Sequence, residues 1–430
     1  MSIYDFEAAF GAADKTSKAM RSAIESWFST YYDAAADTER DPCQRIGYTL
    51  VSKLTKTVFG EYAASCPDPV AKNWLQALDA KRLDAMQLAL VGGECCIKPC
   101  PTGTGFSFTL IPRANMLVFG RDAEGQPVDI GTVERCVDGK YYYTLLERRT
   151  VGGDGLLTIE NKLLRSLNDH NPGTPVSLKT LHRYAHLPEK CKLTQPVGLG
   201  MVRMKMPILN CVDGSADGVC VFAPAMGLIR AIDENEAQLQ GEFRRGKSRV
   251  IVSRDLLDEN RQLSSELFVG LDEDPDRVGI TLFSPQLREG SYLARKQEYL
   301  RNIESIIGLK RGTLSDVNMD QRTATEVAAS AADYNLTVMQ LQGMWQEALQ
   351  QCLRLCGFLA GMYALPAAAD TAVAVDWGNG VLYDEDVVWQ DYLQMVREGL
   401  LKPEVALGWR FGMKADTPQE LEAVRQKYMP

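Results

Sequence analysis

The stretch MGLIRAIDENEAQLQGEFRRGKSRVIVSR, Met226 to Arg254, decides between two different proteins. Its Gly241 to Ser248 portion fits G-x-x-x-x-G-K-[ST], the loop that cradles phosphates in nucleotide hydrolases. Such a loop works between a strand and the N-terminus of a helix, where backbone N–H groups and the helix dipole both face the phosphates. Here the order is inverted. Leu228, Ile232, Leu239 and Phe243 recur on one side of a helix, and Asp233, Glu234, Glu236, Glu242, Arg244 and Arg245 fill the rest. RVIVSR after Gly246 reads as a strand. Lys247 would then stand near a helix C-terminus, the negative end of the dipole. Arg244, Arg245 and Lys247 suit that end as cations, and Gly246 suits the left-handed position that closes a helix.

Outward from this helix end, the chain builds an unusual unit. Residues 255–276 hold eight acids (Asp255, Asp258, Glu259, Glu266, Asp272, Glu273, Asp274, Asp276) against the single base Arg261. GITLFSP, Gly279 to Pro285, is a second strand, and REGSYLARKQEYLRNIESII, Arg288 to Ile307, is a second helix. Two antiparallel struts carrying a small α/β tip fit this order. Gly308 and Gly312 then break the helix, a polar loop runs to about Arg322, and Thr323 or Thr325 caps the next helix, with Glu326 completing a capping box after Thr323. From Thr325 to Tyr363 that helix spans roughly 58 Å at the α-helical rise. Tyr334, Val338, Leu341, Trp345, Leu349, Cys352, Cys356 and Leu359 form its apolar stripe, with Gly343, Gly357 and Gly361 as places where it can bend.

Before residue 226 the texture is different. Lys15–Tyr32, Arg45–Phe59 and Val70–Leu90 read as helices, the second with Ile46, Leu50, Leu54 and Val58 at four-residue steps, the third stopped by Gly92-Gly93. Short β-rich runs follow: SFTLIP, Val128–Val137, Lys140–Arg149 and Leu156–Leu163, with DAEGQP, VDGK and VGGDG at or near the turns, an antiparallel meander. Tyr141 to Tyr143 are read as strand packing rather than a base-stacking platform. After Pro366, VAVDW is strand-like, a helix runs from Asp384 to about Glu398, a short one opens at Lys402-Pro403 and ends at Gly412, and Thr417-Pro418-Gln419-Glu420 caps a last helix. The fold class expected is α+β.

The chain has 430 residues, 45% of them hydrophobic, enough for a substantial core and more than one domain. A formal net charge of −9 argues against tight non-specific wrapping of DNA, which needs many phosphate-neutralising cations. No run of about 18 apolar residues is present, so no membrane span is expected. MSIYDFEAAFGAADK carries acids early and does not read as a secretory signal, so a cytoplasm with reduced thiols is expected. Of 11 cysteines, Cys95, Cys96 and Cys100 in ECCIKPC are the densest group. His170, His182 and His186 lie far from them without finger-like spacing, and in a strand Cys95 and Cys96 face opposite ways, so they read as small apolar residues rather than metal ligands. No cofactor is expected, and neither a G-x-S-x-G elbow nor an H-E-x-x-H pair occurs.

At this point the ordered series of local sequences resembles the portal proteins of tailed bacteriophages, especially long-tailed phages of Gram-positive hosts. It runs through VSKLTKTVFGE (51–61), LALVGGECCIKP (88–99), IPRANMLVF (111–119), GVCVFAPAMGLIRAIDENEAQL (218–239), RRGKSRVIV (244–252), ITLFSPQLREGSYLARKQEYLRNIESIIGLKRGTLS (280–315), RTATEVAAS (322–330), VDWGNGVLYDED (375–386) and REGLLKPEVALGWRFGM (397–413). The resemblance implies a non-enzymatic ring, usually of twelve copies, at one capsid vertex of the virion, a channel for packaging and ejecting double-stranded DNA. It implies a wing over 1–225, stem helices over 226–245 and 288–307, a clip over 246–287, a tunnel loop over 308–322, a long wing helix over 323–365 and a crown over 366–430. It further implies, as partners, the terminase large subunit that hydrolyses ATP, a head-completion or adaptor protein, and major capsid and scaffolding proteins. Lys310, Arg311, Ser315, Asn318, Gln321 and Arg322 would belong to the tunnel loop; Arg244, Arg245 and Lys247 to the stem–clip junction; Asp255, Asp258, Glu259, Asp272, Glu273 and Asp274 to the docking surface of the clip. Lys310, Arg311 and Arg322 either touch passing DNA backbone or pair with neighbouring subunits, and both readings stay open. Another minor capsid protein is the alternative, and a P-loop NTPase the remote one.

Overall fold

The arrangement of helices and sheets follows from where the apolar stripes find cover. The computed structural model describes residues 2–32, 42–246, 249–253, 268–271, 281–283, 286–316, 324–378, 385–413, 415 and 417–429; over 249–253, 268–271, 281–283, 324–333 and 385–388 only the backbone is described. A short helix, α1 (Glu7–Phe10), leads into α2 (Lys18–Tyr32), α3 (Ile46–Val58), strand β1 (Ala63–Ser65), α4 (Pro69–Asp79) and α5 (Arg82–Gly92). Helix α2 starts later than the periodicity predicts, because Ser17 Oγ accepts from Met20 N at 3.1 Å and so caps it. The single helix expected over 70–90 is two. Lys81 leaves the helical region (φ −101°, ψ 0°), and Arg82 holds the carbonyl and carboxylate of Asp79, both at 3.1 Å. The apolar spacing runs through this break, which is why the spacing alone does not reveal it.

Strands β2 (Glu94–Pro101) and β3 (Phe106–Pro112) form a hairpin. The expected meander follows: β4 (Met116–Arg121), β5 (Pro127–Asp138), β6 (Tyr141–Val151) and β7 (Leu157–Ser166), each antiparallel to the next. Two short strands, β8 (Thr174–Val176) and β9 (Lys190–Lys192), pair with opposite ends of β7, and β10 (Val202–Lys205) returns to the far edge of β2. Cys95 and Cys96 do face opposite ways: Cys95 lies in the main core, Cys96 in a smaller cluster with Ile111, Met116 and Val118. Tyr143 packs among Leu145, Leu163 and Tyr184, as strand packing predicts. One face of the meander is covered by Phe6 and Phe10, against Leu117, Phe119, Val133, Leu146 and Leu164.

The first strut, α6, spans Met226–Arg245 as read from sequence. Its buried side is Ile229, Ile232, Asn235 and Leu239, while Phe243, expected on that side, is exposed. At the tip, β11 (Arg249–Ser253) lies between β12 (Phe268–Leu271), parallel to it, and β13 (Thr281–Phe283), antiparallel. The second strut is α7 (Glu289–Ile307), followed by α8 (Ala324–Met362), continuous through its three glycines. Val338, Leu341, Trp345, Leu349, Cys352, Cys356 and Leu359 are all buried in the main core and Tyr334 packs at its margin, so the stripe is the one read from sequence. Strand β14 (Ala374–Asp376) pairs antiparallel with β1, and α9 (Glu385–Arg397), α10 (Pro403–Arg410) and α11 (Pro418–Tyr428) complete the chain. The capping box is present: Glu420 N donates to Thr417 Oγ1 at 3.3 Å and Thr417 N to Glu420 Oε2 at 3.0 Å. Mixed helix and predominantly antiparallel sheet make this an α+β fold. Among the described residues no helix is long and apolar enough to cross a membrane.

Candidate functional site

The two struts run antiparallel, and a series of polar rungs fixes their register. At the far end Glu242 grips Arg288: its carboxylate accepts from the Arg288 backbone N–H (3.0 Å) and from Nε and a terminal nitrogen (both 3.1 Å). These bonds hold the Glu242 carboxyl at about 2, well below its ordinary value. Nearer the body, Lys296 Nζ reaches Glu236 at 3.3 Å and Gln44 Oε1 at 2.7 Å, and Asn235 Nδ2 donates to Tyr292 O at 3.1 Å. Leu300 and Ile303 supply the apolar part of the seam from α7.

At the tip end of α6, Arg245 Nε donates to the Gly241 carbonyl at 3.2 Å, one turn back along its own helix. Arg244 is exposed beside it, and Lys247 lies outside the described residues. Gly246 is not left-handed: its φ is −80°. A Cβ there would come within 2.3 Å of Leu287 Cδ2 and 2.9 Å of the Glu242 carbonyl. A side chain at 246 would have to displace the Leu287 tip of the returning chain, so space rather than backbone handedness is what glycine supplies here. The G-x-x-x-x-G-K-[ST] pattern therefore begins inside a helix and closes at its C-terminal end, the inverse of a phosphate cradle.

At the other end of α7, Gly308 adopts φ +74°, Leu309 N bonds Glu304 O at 2.7 Å and Gly308 N bonds Ser305 O at 3.4 Å, a Schellman closure with Leu309 buried. Lys310 to Thr313 forms a tight turn (Thr313 N to Lys310 O, 3.1 Å) with Gly312 at φ +89°, the value its third position needs. Arg311 occupies the corner, and Lys310 and Arg311 are both exposed. The chain then doubles back along α7. Glu304, fully buried, accepts from Leu314 N (2.6 Å), Ser315 N (2.8 Å) and Ser315 Oγ (2.8 Å), and Gln297 Oε1 accepts from Asp316 N at 2.8 Å. Lys53 Nζ donates to the Thr313 carbonyl and Thr337 Oγ1 to Gly308 O, tying the turn to α3 and α8.

Of the residues singled out for the loop, Lys310 and Arg311 thus share an exposed turn. Ser315 is placed differently: it is 6% exposed and turned inward, its hydroxyl donating to Glu304. Asn318, Gln321 and Arg322 lie outside the described residues, as do Asp255, Asp258, Glu259, Asp272, Glu273 and Asp274, and the caps Thr323 and Thr325–Glu326 lie outside the described backbone or side chains. Glu304 was missed from sequence. Its signal is a lone acid one turn after Leu300, in register with the buried stripe and four residues before the glycine that ends the helix. Among the described residues no group of three or more His, Cys, Asp or Glu side chains converges to hold a metal.

No family model and no curated protein sequence matches the chain. Solved structures do. One is a chain in the neck of a native gene transfer agent (GTA) particle, computed with C12 symmetry: the match covers 94% of this chain and 98% of that chain, with a TM-score of 0.50 at 11% identity. A chain in the neck of an empty GTA particle computed with C6 symmetry matches over 92% of this chain and 95% of that one, at 12% identity and a TM-score of 0.47. The first likeness shows a shared fold along nearly the whole of both chains.

Proposed function

We propose that the chain is a portal-type subunit: a structural protein that closes into a ring at the head–tail vertex of a phage or phage-like particle and encloses a passage for double-stranded DNA. The observation that carries this reading is the end-to-end likeness to a neck chain of a particle with C12 symmetry, which leaves no large part of either chain outside the shared fold. The strut pair adds a physical reason for a ring. Phe243, Leu293 and Ile306 are 45%, 52% and 49% exposed on two thin helices, apolar surface that adjacent copies around an axis would cover. In this reading 1–225 and 323–365 form the wing, 226–245 and 288–307 the stem, 246–287 the clip that docks a terminase and adaptor, 308–322 the tunnel loop, and 366–430 the crown. Strand β14 ties the start of that last region to the wing through β1. The chain itself carries no catalysis; nucleotide hydrolysis belongs to a docked motor, and capsid and scaffolding proteins surround the ring.

The test is electron microscopy of the purified full-length protein. Ring-shaped class averages with a central hole and a definite rotational symmetry are expected. A chain that stays monomeric at high concentration, or that assembles into sheets or closed shells, removes the portal reading, the latter in favour of another capsid component. ATP turnover by the protein alone, abolished by Lys247→Ala, would instead favour a nucleotide hydrolase.

A further inference from the structure

We infer that Glu304 is a positioning residue: its buried carboxylate latches residues 309–316 back onto the second strut and so presents the Lys310–Arg311 corner at a set place. This deepens the portal reading and, for the role of the corner, rests on it. A buried carboxylate without acceptor duties is costly, and here all its duties lie in one short segment. Oε1 takes both the Leu314 and Ser315 amides and Oε2 takes the Ser315 hydroxyl. The same residue's backbone carbonyl closes the helix by accepting from Leu309 N. Glu304 therefore grips both ends of a six-residue excursion, and Lys310 and Arg311 sit between the two grips. The turn closed by Thr313 N and the buried Leu309 side chain leave the excursion little freedom while both grips hold. Polyanion contacts made by exposed cations gain when those cations are already placed, because less ordering accompanies binding. The corner's contact with a phosphate backbone thus depends on a residue that never touches it.

The test compares Glu304→Ala, Glu304→Gln and Ser315→Ala in the full-length chain. Glutamine keeps an oxygen for the two amides and offers N–H to the Ser315 hydroxyl, so it is the conservative variant. The first readout is amide hydrogen exchange. In Glu304→Ala, exchange over 309–316 is expected to rise at least ~10-fold, with Leu300 and Ile303 still protected, and Glu304→Gln to stay within about 3-fold of the unmodified chain. Unchanged exchange over 309–316 overturns the latch, and so does equal loss of protection at Leu300 and Ile303, which would make Glu304 a general stabiliser. The second readout is binding of linear duplex DNA by the assembled protein across a salt series. Replacing both Lys310 and Arg311 by alanine is expected to weaken binding and flatten its salt dependence. Glu304→Ala is expected to do the same, with no further loss in the triple variant, whereas losses that simply add would show that Glu304 does not act through the pair. The exchange readout needs no ring, so it decides the latch on its own; absence of rings or of duplex binding in the unmodified protein overturns the portal reading and with it the role of the corner.

Discussion

Glu147 is ionised where water is scarce. Lys98 Nζ lies 3.2 Å from both of its oxygens and Arg149 Nε 2.7 Å from one, while Arg149 also donates to the carbonyl of Leu199 at 2.8 Å and of Gly200 at 3.2 Å. Burial pushes the carboxyl up, and the Arg149 and Lys98 charges outweigh it and hold it at about 2. The three side chains join β2, β6 and the 199–200 loop, so two sheets share one ion cluster. Because the folded value lies below the ordinary 4.5, the stabilisation is fully present above about pH 4.5 and is lost as pH falls towards 2. Thermal melts monitored by circular dichroism should show the melting temperature dropping across that window, with a shallower drop in Glu147→Gln. At pH 7 the same substitution should destabilise the fold by ~3–5 kcal/mol, since it leaves two buried cations short of a partner. Gly93 marks a different kind of residue-scale constraint. It has φ +77°, and an added Cβ would lie 2.3 Å from the Gly218 carbonyl carbon and the Val219 nitrogen. Gly93→Ala should cost more than about 3 kcal/mol in denaturant titration, because backbone cannot yield as a side-chain tip does. The sequence shows Gly92-Gly93 as a helix stop, which it is, but the crossing with Gly218 spans more than a hundred residues and has no local mark. Gly246 misleads in the opposite sense, since a glycine after a basic helix end looks left-handed when the requirement is space for Leu287.

At the scale of elements, the long helix is the part most fully written in the residue order. Seven of its buried positions, from Val338 to Leu359, keep the helical spacing read from sequence, and apolar periodicity over about six turns leaves little alternative. Trp345 is the pivot. It is fully buried, donates from Nε1 to Tyr62 Oη at 3.2 Å and stands edge-on to Phe59 at 5.6 Å. Trp345→Ala should destabilise the fold by ~3–5 kcal/mol, whereas Leu336→Ala on the same helix, at a position 58% exposed, should stay within about 0.5 kcal/mol. Paired urea titrations of the two variants check this; equal losses would mean that the two sides of the helix are covered alike. The struts were legible for the same reason. Elements that depend on a distant partner were not: β1 is three residues long and exists through β14, some 310 residues later in the chain, and β12 is a strand because β11 lies beside it. The split between α4 and α5 was hidden because Asp79 and Arg82 break the ladder without breaking the apolar rhythm.

For the whole molecule, the question is what a chain with thin struts gains from copies of itself. The seam between α6 and α7 satisfies one side of each helix through Ile229, Ile232, Leu300 and Ile303, and the rungs Glu242–Arg288 and Glu236–Lys296 set its register. Phe243, Leu293 and Ile306 lie outside that seam. These side chains are already about half covered, so burying the remainder at each subunit junction is worth roughly 0.7–1.5 kcal/mol apiece, and a closed ring repeats every junction, so the effect on assembly is multiplied while the effect on the single chain is small. Leu293→Asp should therefore leave the melting temperature of the dilute, unassembled chain nearly unchanged, within the about 0.5 kcal/mol typical of exposed sites. The same substitution should abolish rings in sedimentation velocity and in micrographs, because each junction would bury a carboxylate without a partner. Gln238→Asp, at an exposed polar position of α6, serves as the control and should assemble normally. If Leu293→Asp forms rings as readily as the unmodified chain, the strut faces are not the junction, and subunit contacts must be sought outside α6 and α7.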